Sequence, residues 1–201
     1  MEVFYLRENT YSTIKNEVTS ETVTLIEQNE QYELLEYTFP PNSESITHFH
    51  QYFTEEIKVL NGTLKIDLGH AEKLLYKGDQ FTIQKGVNHS LANFSNKTPL
   101  TIQVKITPVY PVFEATKVLF GLAKDGLVDE KGVPNNRTDL AIVYDMLDLR
   151  IHLPRFLNLF MKYLIRKGKK KGIDQQLINR YARVDASEEE ANETFIRRKN
   201  F

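Results

Sequence analysis

The chain has 201 residues, 41% of them hydrophobic and 26% charged. That composition suits one folded domain, or one domain with a sizeable appendage, and excludes a mostly disordered chain. It has no cysteine, which excludes disulfides, thiolate ligands and cysteine nucleophiles. The net charge of −1 conceals a division: residues 1–110 hold 9 Lys and Arg against 14 Asp and Glu, and residues 111–201 hold 17 against 13.

Residues 1–10 carry two glutamates and no apolar run, so no secretory leader is expected. No uncharged apolar stretch approaches the roughly 20 residues that span a bilayer. A cytoplasmic protein is the expectation. From residue 22 onward, short β-branched and aromatic runs alternate with turn residues, which predicts strands at 22–28, 32–39, 46–50, 55–60, 63–68, 73–76, 80–84, 88–94 and 100–107. Pro40-Pro41-Asn42 breaks the chain before the histidines. Asn61-Gly62 is expected to close a type I′ hairpin, because both residues tolerate positive φ. Gly69-His70 and Lys77-Gly78-Asp79 read as further turns. So many short strands favour an all-β barrel or jelly roll over any βαβ arrangement.

Period two assigns the faces. Glu55, Ile57 and Val59 share one side of their strand; Glu56, Lys58 and Leu60 share the other. The Ile57/Val59 side is the better inner face, and it takes Glu55 with it. Neighbouring strands offer His48 with His50 and Ile46, Leu64 with Ile66 and Leu68, Phe81 with Ile83, and His89 with Leu91. A carboxylate inside an apolar barrel is costly unless paired, protonated or metal-bound. Three imidazoles converging on it supply nitrogen donors for a divalent transition metal, leaving one or two coordination positions open.

The spacing His48-x-His50-x4-Glu55-x6-Gly62, then Gly78-x5-Gln84-x-Gly86-x2-His89-x3-Asn93, resembles the two motifs of the cupin superfamily, separated here by fifteen residues. Gln84 departs from the family pattern, which usually has proline there; the change loosens a turn and removes no ligand. The resemblance implies a mainly β, double-stranded β-helix (jelly-roll) barrel with metal ligands at His48, His50, Glu55 and His89. Gly62, Gly78 and Gly86 read as turn glycines. Asn93 shares the inner face with His89 and either touches a ligand or makes a strand-end hydrogen bond. His70 on a turn and His152 in the second half read as surface or packing histidines.

The intact ligand set argues against a storage or metal-free role. The reading is an oxygenase using iron, manganese or nickel on a small apolar or aromatic molecule, with Glu55 as ligand and proton acceptor. The alternative is a non-catalytic, metal-containing module that binds a small molecule and reports through its helices; zinc-dependent isomerisation or hydrolysis is a third.

Texture changes at Pro108-Val-Tyr-Pro111, which places a cupin barrel domain at 1–110 and a helical C-terminal extension at 111–201. Helices are predicted at 112–124 and from an N-cap at Thr138-Asp139 through Leu149, with a loop at 125–137 between them. Segment 150–171 carries eight Lys and Arg and no acid, with Arg155, Asn158, Lys162 and Arg166 on one stripe. Leu153, Phe156, Leu157, Phe160 and Leu164 lie opposite. Such a helix suits either burial against a partner, most simply in a homodimer, or peripheral contact with anionic lipid. The acidic strand half and the lack of a helix–turn–helix argue against nucleic acid. Residues 187–193 are expected to form an exposed last helix or a frayed end.

Overall fold

The computed structural model describes residues 12–183; the expectations for 1–10 and 187–193 lie outside them. Among the described residues, nine strands form two antiparallel sheets. β1 (Ser12–Lys15), β2 (Thr22–Gln28), β3 (Glu33–Phe39), β4 (Thr54–Asn61), β7 (Gln80–Ile83) and β9 (Leu100–Thr107) make a six-stranded sheet in the order β1-β2-β3-β9-β4-β7. β5 (Thr63–Asp67), β6 (Glu72–Tyr76) and β8 (Ser90–Asn93) make a three-stranded sheet in the order β6-β5-β8. This is the jelly roll that the motif resemblance implies, and helices follow it as the change of texture at residues 108–111 predicts.

Alternation builds the core. Central β9 buries Leu100, Ile102, Val104 and Ile106 and leaves the residues between them half-exposed. Its neighbour β4 buries Ile57 and Val59, and β5 buries Leu64 and Ile66. These strands read clearly in the sequence because each presents one wet face and one dry one.

Three local expectations change. Asn61-Gly62 is not a hairpin: β4 pairs with β9 and β7, while β5 pairs with β6 and β8, so the dipeptide carries the chain from one sheet to the other. Only Gly62 of the pair takes positive φ, at +90°, and β4 bulges between Val59 and Asn61. The bulge turns the strand end, and a single glycine then suffices. Segment 46–50 is not a ladder strand. Phe49 makes an isolated bridge with Arg150, their amides and carbonyls bonding reciprocally at 2.8 and 3.0 Å. Ile46, expected inside, is exposed, and Leu68 and Phe81 are only half-buried. β1 was not anticipated; its four mostly polar residues carry no apolar period, and among the described residues they pair with β2.

The helical part contains α1 (Val112–Lys124), α2 (Arg137–Met146), α3 (Arg155–Lys170) and α4 (Ile173–Tyr181). α2 is capped by Asn136 rather than Thr138-Asp139: its Oδ1 accepts the amides of Thr138 and Asp139 at 2.8 and 3.2 Å. It ends at Met146 rather than Leu149, just before Asp148 takes φ +47°. α4 was not anticipated. Val118, Leu122, Ile142, Val143 and Leu177 form the core of these helices. By its contacts the chain divides into two compact units, one of strands (20–46 and 52–110, with β1) and one of helices, with which 16–19 and 47–51 group. Among the described residues no helix is long and apolar enough to cross a membrane.

Candidate metal centre

Glu55 stands near the start of β4, opposite Ile83 on β7 and Ile106 on β9. It shares its side of the strand with buried Ile57 and Val59, whereas Glu56 and Lys58 are exposed, as the alternation predicts. His89 immediately precedes β8 and is almost fully buried. Its Nδ1 lies 2.9 Å from the Val87 carbonyl, and its Nε2 lies 3.1 Å from Glu55 Oε2. Burial disfavours the charged ring, but the Glu55 carboxylate and the Val87 carbonyl outweigh it and raise His89 above its ordinary 6.5.

His48 and His50 are buried, with their Nε2 atoms 3.1 Å apart and their rings edge to face. They share a side although their segment is no ladder strand. His50 Nδ1 lies 3.1 Å from the main-chain carbonyl of Asp148. A carbonyl can only accept, so Nδ1 of both His50 and His89 carries the proton. In the neutral rings, Nε2 is then a bare lone pair. The Nε2 of neutral His89 would thus face a carboxylate oxygen, acceptor against acceptor. Such an arrangement calls for positive charge, either a proton on the ring or a cation shared by both groups.

The ring donor atoms of His48, His50 and His89 all lie within 4.8 Å of one another; Glu55, the fourth expected ligand, is not in that group, though it lies 3.1 Å from His89. Three imidazole nitrogens are donors that suit a borderline divalent transition metal, and the carbonyl-locked tautomers of His50 and His89 present the correct nitrogens. The residues fit such an ion.

Asp148 and Arg150 escaped the sequence reading. Asp148 is fully buried; Oδ2 accepts the Gln51 amide at 2.6 Å and Oδ1 accepts Arg150 Nε at 3.1 Å. Arg150 Nη2 also donates to Asp145 Oδ1 at 2.9 Å. Burial opposes ionisation of Asp145, but hydrogen bonds and charge from Lys169 and Arg150 prevail and hold its carboxyl below the usual range. The only hint in the sequence was the Asp145-x2-Asp148-x-Arg150 spacing beyond the predicted helix.

Asn93 resolves as a structural tie. Its Nδ2 donates to the carbonyls of Pro40 and Thr98 at 3.0 and 2.9 Å, and its Oδ1 accepts the Ser95 amide. His70 is exposed on its turn, and His152 stacks on Phe49 with ring centroids 5.0 Å apart.

No curated protein matches the chain. Among solved structures, an RmlC-like cupin from Shewanella frigidimarina is similar, at 17% identity over 56% of this chain and 96% of that one, TM-score 0.46. A cupin-superfamily sugar phosphate isomerase from Silicibacter pomeroyi is similar at 17% identity, over 49% of this chain and 71% of that one, TM-score 0.44. The polyketide cyclase RemF from Streptomyces resistomycificus is similar at 19% identity, over 46% and 68%, TM-score 0.41. The family model described as "Cupin domain" matches residues 35–106, from β3 to β9, a span that holds both histidine motifs. The jelly-roll strands from β3 to β9 and both motifs fall in that one span, so residues 35–106 match the cupin domain.

Proposed function

We propose that this cupin is a metal-dependent oxygenase acting on a small apolar or aromatic molecule, with a divalent transition metal held by His48, His50, His89 and Glu55. The observation that carries the reading is the three-histidine group, whose ring donor atoms lie within 4.8 Å of one another, with the Asp148 and Val87 carbonyls holding the ring protons of His50 and His89 on Nδ1. Fold alone decides little, since the superfamily hosts many activities. A redox-active metal such as iron, manganese or nickel supplies the electron transfer to dioxygen that side chains cannot. The protein's own residues do the rest. Buried Ile57, Val59, Leu64, Ile66 and Ile83 make the interior of the β unit apolar, which favours an apolar or aromatic substrate over a charged one. Glu55, half-buried beside His89, is the group positioned to accept a substrate proton.

One observation favours the second reading, a non-catalytic binding module that reports through its helices. His50 takes its carbonyl partner from the residues following α2, so a change at the ring is felt there. Metal analysis of protein purified without chelator or nickel resin, followed by oxygen uptake against a panel of phenols, tests both. Bound iron, manganese or nickel with substrate-dependent uptake supports the oxygenase. Bound metal without uptake under any redox metal supports the module.

A further inference from the structure

α3 packs through one side and leaves another in solvent. Leu164 and Gly168 are its buried residues. Gly168 lets the helix close on α2, where an added Cβ would come within 3.0 Å of the Ile142 side chain. About a third of a turn away, Phe156, Leu159, Phe160 and Tyr163 recur at i, i+3, i+4 and i+7. They form one ridge, 69, 62, 40 and 55% exposed respectively. Apolar side chains so open to water on consecutive turns mark a contact surface.

The charge around the ridge identifies what it contacts. Lys167 and Lys170 continue the same stripe at i+11 and i+14, and Arg155, Lys162 and Arg166 run along one flank. Segment 150–171 holds eight Lys and Arg and no acid. Arg150 and Lys169 are held by Asp145 and Asp148. A second copy seated on this ridge would set cation against cation. A surface of anionic headgroups over apolar chains complements the ridge and its cations together.

We propose that α3 is a peripheral membrane-docking helix. It lies in the plane of an anionic bilayer, with the 156–163 ridge at the headgroup boundary and Lys167, Lys170 and Lys171 on the headgroups. Its 16 residues span about 24 Å, which suits lying along the surface. The proposal does not rest on the metal centre.

Co-sedimentation of the full chain with vesicles tests it. The protein is expected to pellet with equal parts phosphatidylcholine and phosphatidylglycerol at low salt, to stay in solution with phosphatidylcholine alone, and to be released by high salt. Near the surface each lysine contributes about fivefold to partitioning, so K167Q/K170Q/K171Q should lose roughly a hundredfold. Lys169 is left in place because it holds Asp145 at 2.6 Å. Phe156→Ser with Phe160→Ser should abolish binding with an unchanged melting temperature, since both rings are exposed. Three results overturn the proposal: wild type in the supernatant with anionic vesicles at low salt; binding undiminished by the double serine variant; or a dimer, dispersed by that variant, that binds no vesicles.

Discussion

Replacing His50 by alanine removes one Nε2 donor and also the ring that meets the Asp148 carbonyl. Metal occupancy should fall sharply, and the melting temperature of metal-loaded protein with it, because metal binding free energy adds to folding free energy. Glu56→Gln, on the exposed side of β4, should change neither. Elemental analysis and melts of both variants check this, and equal metal loss would refute the assignment of Glu55 over Glu56. Asp148→Asn keeps the size and tolerates φ +47°, but it weakens the bonds to Arg150 and the Gln51 amide. Stability should drop by about 1–3 kcal/mol and metal affinity by roughly tenfold or more, read by chemical denaturation and a competitive chelator titration.

His89 sets the pH dependence. In metal-free protein its raised value means that the charged ring beside Glu55 contributes stability fully present below about 6.5 and lost as pH rises through the folded-state value. Metal works in the opposite sense, because a ligating ring must shed its proton. The gap in melting temperature between metal-loaded and chelated protein should therefore widen from pH 6 to pH 8. Melts with and without chelator across that range check it; a narrowing gap would count against histidine ligation.

Among the elements, the junction of β4 and β5 shows where a turn signal misleads. Asn61-Gly62 has the composition of a hairpin, but hydrogen bonds that β4 makes with β9, some 40 residues on, decide its geometry. The glycine is needed twice over: φ is +90°, and an added Cβ would sit 3.0 Å from the Pro99 carbonyl oxygen and 3.1 Å from Leu100 Cα. Gly86 also has positive φ, at +80°, but its Cβ would meet nothing within 4 Å. Gly86→Ala should cost about 1 kcal/mol from backbone strain alone, and Gly62→Ala clearly more, in parallel urea titrations. β2, β9 and α1 were legible to the residue because each obeys its own period. Segment 46–50 was not, because its hydrogen-bonding partner is Arg150, far along the chain, and no local pattern encodes such a pairing.

At the scale of the whole molecule, two features were plain in the sequence: the contrast between an acidic strand half and a basic helical half, and the motif histidines. The three histidines that the structure groups could be named from strand alternation and the motif resemblance. What orients His50 could not, because Asp148 acts through a main-chain carbonyl and a left-handed backbone, and neither leaves a mark in residue type. α3 is a similar case. Its amphipathic pattern was legible, but which apolar residues face α2 and which face solvent depends on the close approach that Gly168 permits.

The bond from His50 to Asp148 also bears on the order of events at the ribosome. All four motif donors have been synthesised once residue 89 is made, yet the carbonyl that holds His50 and the amide and carbonyl that pair with Phe49 belong to residues 148 and 150. A nascent chain that has completed its last strand, at Thr107, still lacks them. The carbonyl that holds His50 thus arrives about 40 residues of translation after the last strand is complete. A ribosome stalled between the two would carry a His50 ring whose tautomer is not yet fixed, while the Val87 partner of His89 is already in place.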